Sequence, residues 1–158
     1  METQIEPLSV EDYNEISQLY GYYARDVDPG SSRDASWMFT DDGVFSGSGG
    51  SLGGPIRISG RAELRDFYER IRRQHAHGIR HFNTTYVIVG NAQEARSSGY
   101  MMTVERTAPG APAIVADFGK YEDLLVKTSE GWRFKERIWE SDTYREDTAV
   151  VAASPTSS

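Results

Sequence analysis

At 158 residues and without a single cysteine, the chain fits one domain with one core, and a disulfide framework, a thiol nucleophile and a Cys-built zinc site are excluded. A net charge of −7 argues against nucleic acid, because gripping a phosphate backbone takes a basic face. No apolar run approaches the roughly 18 residues of a membrane span, and the acidic start from Met1 to Leu8 lacks the apolar stretch of a signal peptide; a cytoplasmic protein acting on small molecules or other proteins is expected.

Ser9 or Asp12 starts a first helix that runs to about Asp28, with Ile16, Leu19, Tyr20, Tyr23, Ala24 and Val27 forming one apolar stripe. Pro29-Gly30 stops it. A short second helix is expected from about Ser32 to Phe39, then a turn at Thr40-Asp41-Asp42-Gly43 and a short strand at Val44 and Phe45. Gly47 to Pro55 is a glycine-rich loop with no Gly-Lys-Ser/Thr after it, so it is not a phosphate loop. Ile56 and Ile58 suit an edge strand. A third helix follows from Gly60 to about Gln74, burying Leu64, Phe67, Tyr68 and Ile71; its Arg70, Arg72 and Arg73 alternate with acids and read as a solvated face.

After Gly78 the apolar period changes from 3.6 to 2. Ile79 to Val89, Ala95 to Thr107, Ala113 to Lys127 and Trp132 to Asp142 are four strands joined at hairpin spacing, an antiparallel meander with Gly99 and Gly119 placed where a long strand curls. Tyr86, Ile88, Met101 and Leu125 are expected on the outer face of that sheet, more apolar surface than a small monomer leaves in water, which predicts a homodimer or larger assembly. Residues 1–9 read as an arm, 10–147 as the domain and 148–158 as a disordered tail.

The histidines number three. His75 and His77 end the third helix facing opposite ways, so with His81 they do not make a metal site, and no metal or cofactor is expected. His81 opens the first long strand, where alternation puts Ile79, His81, Asn83 and Thr85 on one face and Arg80, Phe82, Thr84 and Tyr86 on the other. Asp28 ends the first helix beside a competing carboxylate, Asp26. Tyr23 lies five residues earlier on the buried stripe, where a phenol needs a hydrogen-bond partner.

Three segments then combine in order: Tyr22-Tyr23-Ala24-Arg25-Asp26-Val27-Asp28 with Phe39-Thr40-Asp41-Asp42-Gly43-Val44-Phe45; Gly60-Arg61-Ala62-Glu63-Leu64 with Arg80-His81-Phe82-Asn83-Thr84; and Gly119-Lys120-Tyr121-Glu122-Asp123 through Gly131-Trp132-Arg133-Phe134. From about Val10 to Asp142 the set resembles the SnoaL-like branch of the NTF2-like superfamily, which includes polyketide cyclases and scytalone dehydratase. The resemblance implies an α+β cone, a cystatin-like roll of three N-terminal helices packed on a curved antiparallel sheet that encloses a pocket. It also implies an Asp–His acid/base pair, mapping onto Asp28 and His81, with Tyr23 as a pocket phenol. Tyr20, Trp37, Phe45 and Tyr100 are the aromatic candidates for the substrate wall.

An imidazole held by a carboxylate in a pocket takes a proton from an acidic carbon at neutral pH, and a phenol beside it steadies the developing oxyanion. The expectation is a cofactor-independent lyase or isomerase, of dehydratase, cyclase or isomerase type, acting on a small apolar ring-containing metabolite. The alternative is a non-catalytic ligand-binding or dimerisation module of the superfamily, or a protein like a dioxygenase small subunit.

Overall fold

A computed structural model describes residues 6–49 and 52–143; the tail expected over 148–158 lies outside them. Ser9 and Asp12 start the first helix jointly: the Ser9 hydroxyl accepts from Asp12 N–H, and the Asp12 carboxylate accepts from Ser9 N–H at 3.0 Å. The helix α1 (Val10–Val27) buries Ile16, Leu19, Tyr20, Tyr23 and Val27 along its stripe and ends at Asp28, whose extended backbone turns the chain away. A second helix, α2 (Arg61–Gln74), buries Leu64, Phe67 and Tyr68.

The architecture departs from expectation at several points. The segment expected as a middle helix makes only a 3₁₀ turn over Ala35–Met38, capped by the Asp34 carboxylate; Phe39 is already in strand, so the described residues hold two α-helices and not three. The sheet is mixed rather than antiparallel. Its strands are β1 (Phe39–Ser48), β2 (Ile56–Ser59), β3 (Ile79–Gly90), β4 (Glu94–Glu105), β5 (Ile114–Thr128) and β6 (Gly131–Ser141), in spatial order β2-β1-β6-β5-β4-β3. β3 to β6 form the antiparallel meander, but β1 lies parallel to β6, Phe45 opposite Arg137. Apolar alternation reports that a segment is extended; it does not name the neighbour or its direction. The sheet is open, with β2 and β3 as its edges, so the cone is not closed. The turn expected at Thr40 to Gly43 is absorbed into β1 as an irregularity between Phe39 and Val44.

A bulge decides which side chains face inward along β3. Thr85 has φ 57°, and the pairing with β4 shifts between Thr84 and Val87. The extra residue reverses the alternation, so Ile79, His81 and Asn83 point inward before it and Tyr86 and Ile88 after it. Tyr86 stacks on Tyr20 with ring centroids 4.3 Å apart. A Cβ on Gly99 would come within 2.6 Å of the Tyr86 ring, so that strand position must lack a side chain. The outer-face expectation therefore fails residue by residue: Tyr86 and Ile88 pack against the core, and Met101 and Leu125 are in it. An apolar outer face exists nonetheless, built from Phe82, Val87, Tyr100, Met102, Val115 and Phe118. No helix among the described residues is long and apolar enough to cross a membrane.

Candidate active site

Asp28 and His81 meet where the end of α1 crosses the start of β3. The Asp28 Oδ1 accepts from His81 Nδ1 at 2.7 Å and from the His81 backbone N–H at 3.3 Å. Both side chains are 9% exposed. A carboxylate only accepts, so Nδ1 carries the proton of that bond and Nε2 is the nitrogen left for chemistry. Arg80 Nη1 stands 3.9 Å from the other Asp28 oxygen. Asp26 is occupied elsewhere: it accepts from Trp37 Nε1 at 2.9 Å and from Ser31 Oγ at 3.2 Å.

His81 lines an inner cavity of about 40 Å³ with Tyr23, Phe45, Tyr68, His75, Met101, Thr103, Asp117, Tyr121 and Trp139 among its walls. The volume holds water rather than a ring, so a ring-sized ligand would have to displace lining side chains such as Leu52 or Ile71. Tyr23 Oη lies 3.3 Å from both Tyr121 Oη and Tyr68 Oη, and burial pushes the Tyr23 phenol well above its ordinary range, keeping it a neutral hydrogen-bond donor. Beneath it the Arg137 guanidinium sits 3.9 Å from the Tyr23 ring centroid and 3.6 Å from that of Tyr121.

The residues chosen from sequence thus separate into groups. His81, Tyr23 and Phe45 line the cavity, and Asp28 is joined to it through its bond to His81. Tyr20 is buried next to it, donating to Asp123 Oδ2 at 3.0 Å and stacking on Tyr86. Trp37 lies away from the cavity, edge-on to Tyr22 and bonded to Asp26. Tyr100 is 61% exposed on the outer face of β4.

Two polar contributors escaped the sequence reading, and a third was weighed there only as a metal ligand. Asp117, 3% exposed, accepts from Ser141 Oγ at 2.6 Å and Thr143 Oγ1 at 2.7 Å. Ladder pairing puts it in one row with Thr103 and His81 across β5, β4 and β3. His75 is the third, bonded to Glu105. The inward period of β4 and β5 was a signal for Thr103 and Asp117; nothing local paired His75 with Glu105. His77 is exposed, and no group of three or more potential metal ligands forms among the described residues.

The model of the SnoaL-like domain matches residues 8–138. The chain belongs to the SnoaL-like domain family. No curated protein matches it. A protein of unknown function with a cystatin-like fold from Nostoc punctiforme is 25% identical, with a TM-score of 0.72 over 85% of this chain and 94% of that one. A candidate scytalone dehydratase from Novosphingobium aromaticivorans is 20% identical, TM-score 0.68, over 84% of this chain and 85% of its own. The β subunit of a candidate aromatic-ring-hydroxylating dioxygenase from the same organism is 19% identical, TM-score 0.69, over 84% and 90%. This SnoaL-like chain therefore shares its fold with proteins described as dehydratases and as dioxygenase subunits, and that likeness speaks for the fold rather than for a particular reaction.

Proposed function

We propose that this SnoaL-like protein is an acid–base lyase or isomerase of a small, neutral, ring-containing carbonyl compound. The reading rests on His81, held through Nδ1 by a largely buried carboxylate and facing a cavity that also presents the Tyr23 phenol. His81 Nε2 would take a proton from the carbon next to the carbonyl, Asp28 would steady the imidazolium, and Tyr23 would donate to the enolate oxygen. The carboxylates of Asp28 and Asp117 disfavour an anionic substrate. Loss of water, a double-bond shift and ring closure all begin with this step, which side chains alone supply.

The test is a panel of cyclic β-hydroxyketones, 3-hydroxycyclohexanone and 3-hydroxycyclopentanone among them, in D₂O with NMR detection of deuterium uptake at the α-carbon and of released enone. The reading requires uptake above buffer that disappears in His81→Gln. A second reading, a non-catalytic assembly or ligand-binding module like a dioxygenase subunit, is favoured by the small cavity and by the apolar outer face around Tyr100 and Phe118. Uptake at the buffer rate in wild type would favour that second reading.

A further inference from the structure

The cavity has a second imidazole, and it is held in the same manner as the first. His75 caps the C-terminus of α2, its N–H bonded to Ile71 O at 3.1 Å, and Gly78, with φ 112°, bonds back to the His75 carbonyl at 2.9 Å. That tight turn delivers the ring onto the end of β4, where its Nδ1 meets Glu105 Oε2 at 2.8 Å; the two side chains are 17% and 20% exposed. Glu105 is opposite Ile79 in the β3–β4 ladder and Thr103 is opposite His81. Glu105 therefore stands one inward step, about 7 Å along the strand, from the row of His81.

We propose that His75, held by Glu105, is the second proton-transfer residue of this cavity, delivering a proton to the leaving oxygen while His81 removes one from carbon. The proposal rests on the lyase reading above. Both rings line the cavity and both give Nδ1 to a carboxylate, so each has Nε2 left for substrate. One ring comes from a helix end and the other from a strand, so they approach a ligand from different walls. The other charged groups nearby are Arg80 by Asp28, Arg106 by Gly78, and Asp117; the Tyr23, Tyr68 and Tyr121 phenols are neutral.

The step balances. His81 Nε2 takes the α-proton, the electron pair of that C–H bond forms the enolate, the enolate expels the β-oxygen, and the His75 imidazolium gives its Nε2 proton to that oxygen. Enone and water leave, His81 holds one proton more and His75 one fewer, and exchange with solvent restores both. A purely structural role, tying α2 to β4, would leave the ratio of elimination to exchange unchanged.

The experiment has two arms on the full chain. The first reads imidazole tautomers by two-bond ¹H–¹⁵N correlation at a pH where the rings are neutral, with exposed His77 as internal reference. His75 and His81 should both carry the proton on Nδ1, with Glu105→Gln altering His75 alone and Asp28→Asn altering His81 alone. The second measures enone release and α-deuterium uptake on the β-hydroxyketone panel. His75→Gln should lower the ratio of elimination to exchange by about 10²-fold or more, while His81→Gln lowers both rates. An unchanged ratio in His75→Gln with His81 still essential overturns the proposal and leaves the base reading standing. A wild-type chain inert on the whole panel overturns both readings. An Nε2–H tautomer at His75, or one indifferent to Glu105→Gln, overturns the pairing whatever the panel shows.

Discussion

Arg137 and Asp123 face each other on β6 and β5 with Nε 3.6 Å from Oδ1, the guanidinium 0% and the carboxylate 1% exposed. Tyr20, Tyr23, Tyr121 and Phe134 surround the cation with their rings. Burial raises Asp123 to about 6 against the pull of Arg137 and the Tyr20 hydroxyl. The unfolded value is about 3.9. The folded chain thus binds this proton more tightly, so the contribution of Asp123 to stability is greatest below about pH 4, falls as pH rises to about 6 and is level above. Urea midpoints of wild type and Asp123→Asn should show wild type losing ground against the variant over that interval; a constant difference would refute it. Arg137→Met should destabilise by about 3–5 kcal/mol, because it leaves a buried carboxylate without its cation.

For the dyad, His81→Ala should nearly abolish turnover on whichever panel member is accepted. Asp28→Asn should keep binding but slow the rate by a large factor, since an amide holds the wrong tautomer and does not stabilise imidazolium. Tyr23→Phe removes the hydroxyl that links Tyr121 and Tyr68 and, with it, the one hydrogen bond to the enolate oxygen; it should cost about 1–3 kcal/mol of barrier, or roughly 5- to 150-fold. An Asp-centred mechanism predicts the opposite order, with Asp28→Asn inactive and His81→Ala only impaired. Single-turnover rates of the three variants separate the two orders.

The Thr85 bulge has its own signature. A β-branched residue at φ 57° carries roughly 1–2 kcal/mol of backbone strain that glycine lacks, partly offset by the greater freedom of glycine when unfolded. Thr85→Gly should therefore raise stability slightly, by about 0.5–1 kcal/mol. Tyr86→Ala should do the reverse, because loss of its stack on Tyr20 should cost about 3 kcal/mol in chemical denaturation. A Tyr86→Ala variant as stable as wild type would show that the inward turn of Tyr86 is not needed.

The outer sheet face carries Tyr100 at 61% exposure, Val87 at 63%, Val115 at 58% and Phe118 at 50% on neighbouring strands. That much apolar surface predicts self-association through this face. Light scattering should return about twice 17.7 kDa at micromolar concentration. Phe118→Lys with Tyr100→Lys should convert the species to monomer without loss of secondary structure. A wild-type monomer would contradict the prediction.

Local chemistry determined a large part of this molecule. A helix start at Ser9 or Asp12, the Ile16–Tyr23–Val27 stripe, the Pro29-Gly30 stop and the period-2 runs after Gly78 depend on residues a few positions apart, so they were legible in the sequence. The candidate pair of Asp28 and His81 was legible through the family resemblance, although 53 residues separate them. Tertiary structure alone decided what local pattern cannot carry. Residues 35–38 form one 3₁₀ turn because Phe39 is claimed by the parallel ladder with β6, a partner almost a hundred positions away. Tyr86 faces inward because a single strained residue shifts the register, and the space it enters exists only because Gly99 is on the next strand. The pairing of His75 with Glu105 and the row His81–Thr103–Asp117 were hidden for the same reason. Burial and partner are properties of the assembled sheet, set by which strands lie side by side, whereas helix caps and alternation are properties of the chain.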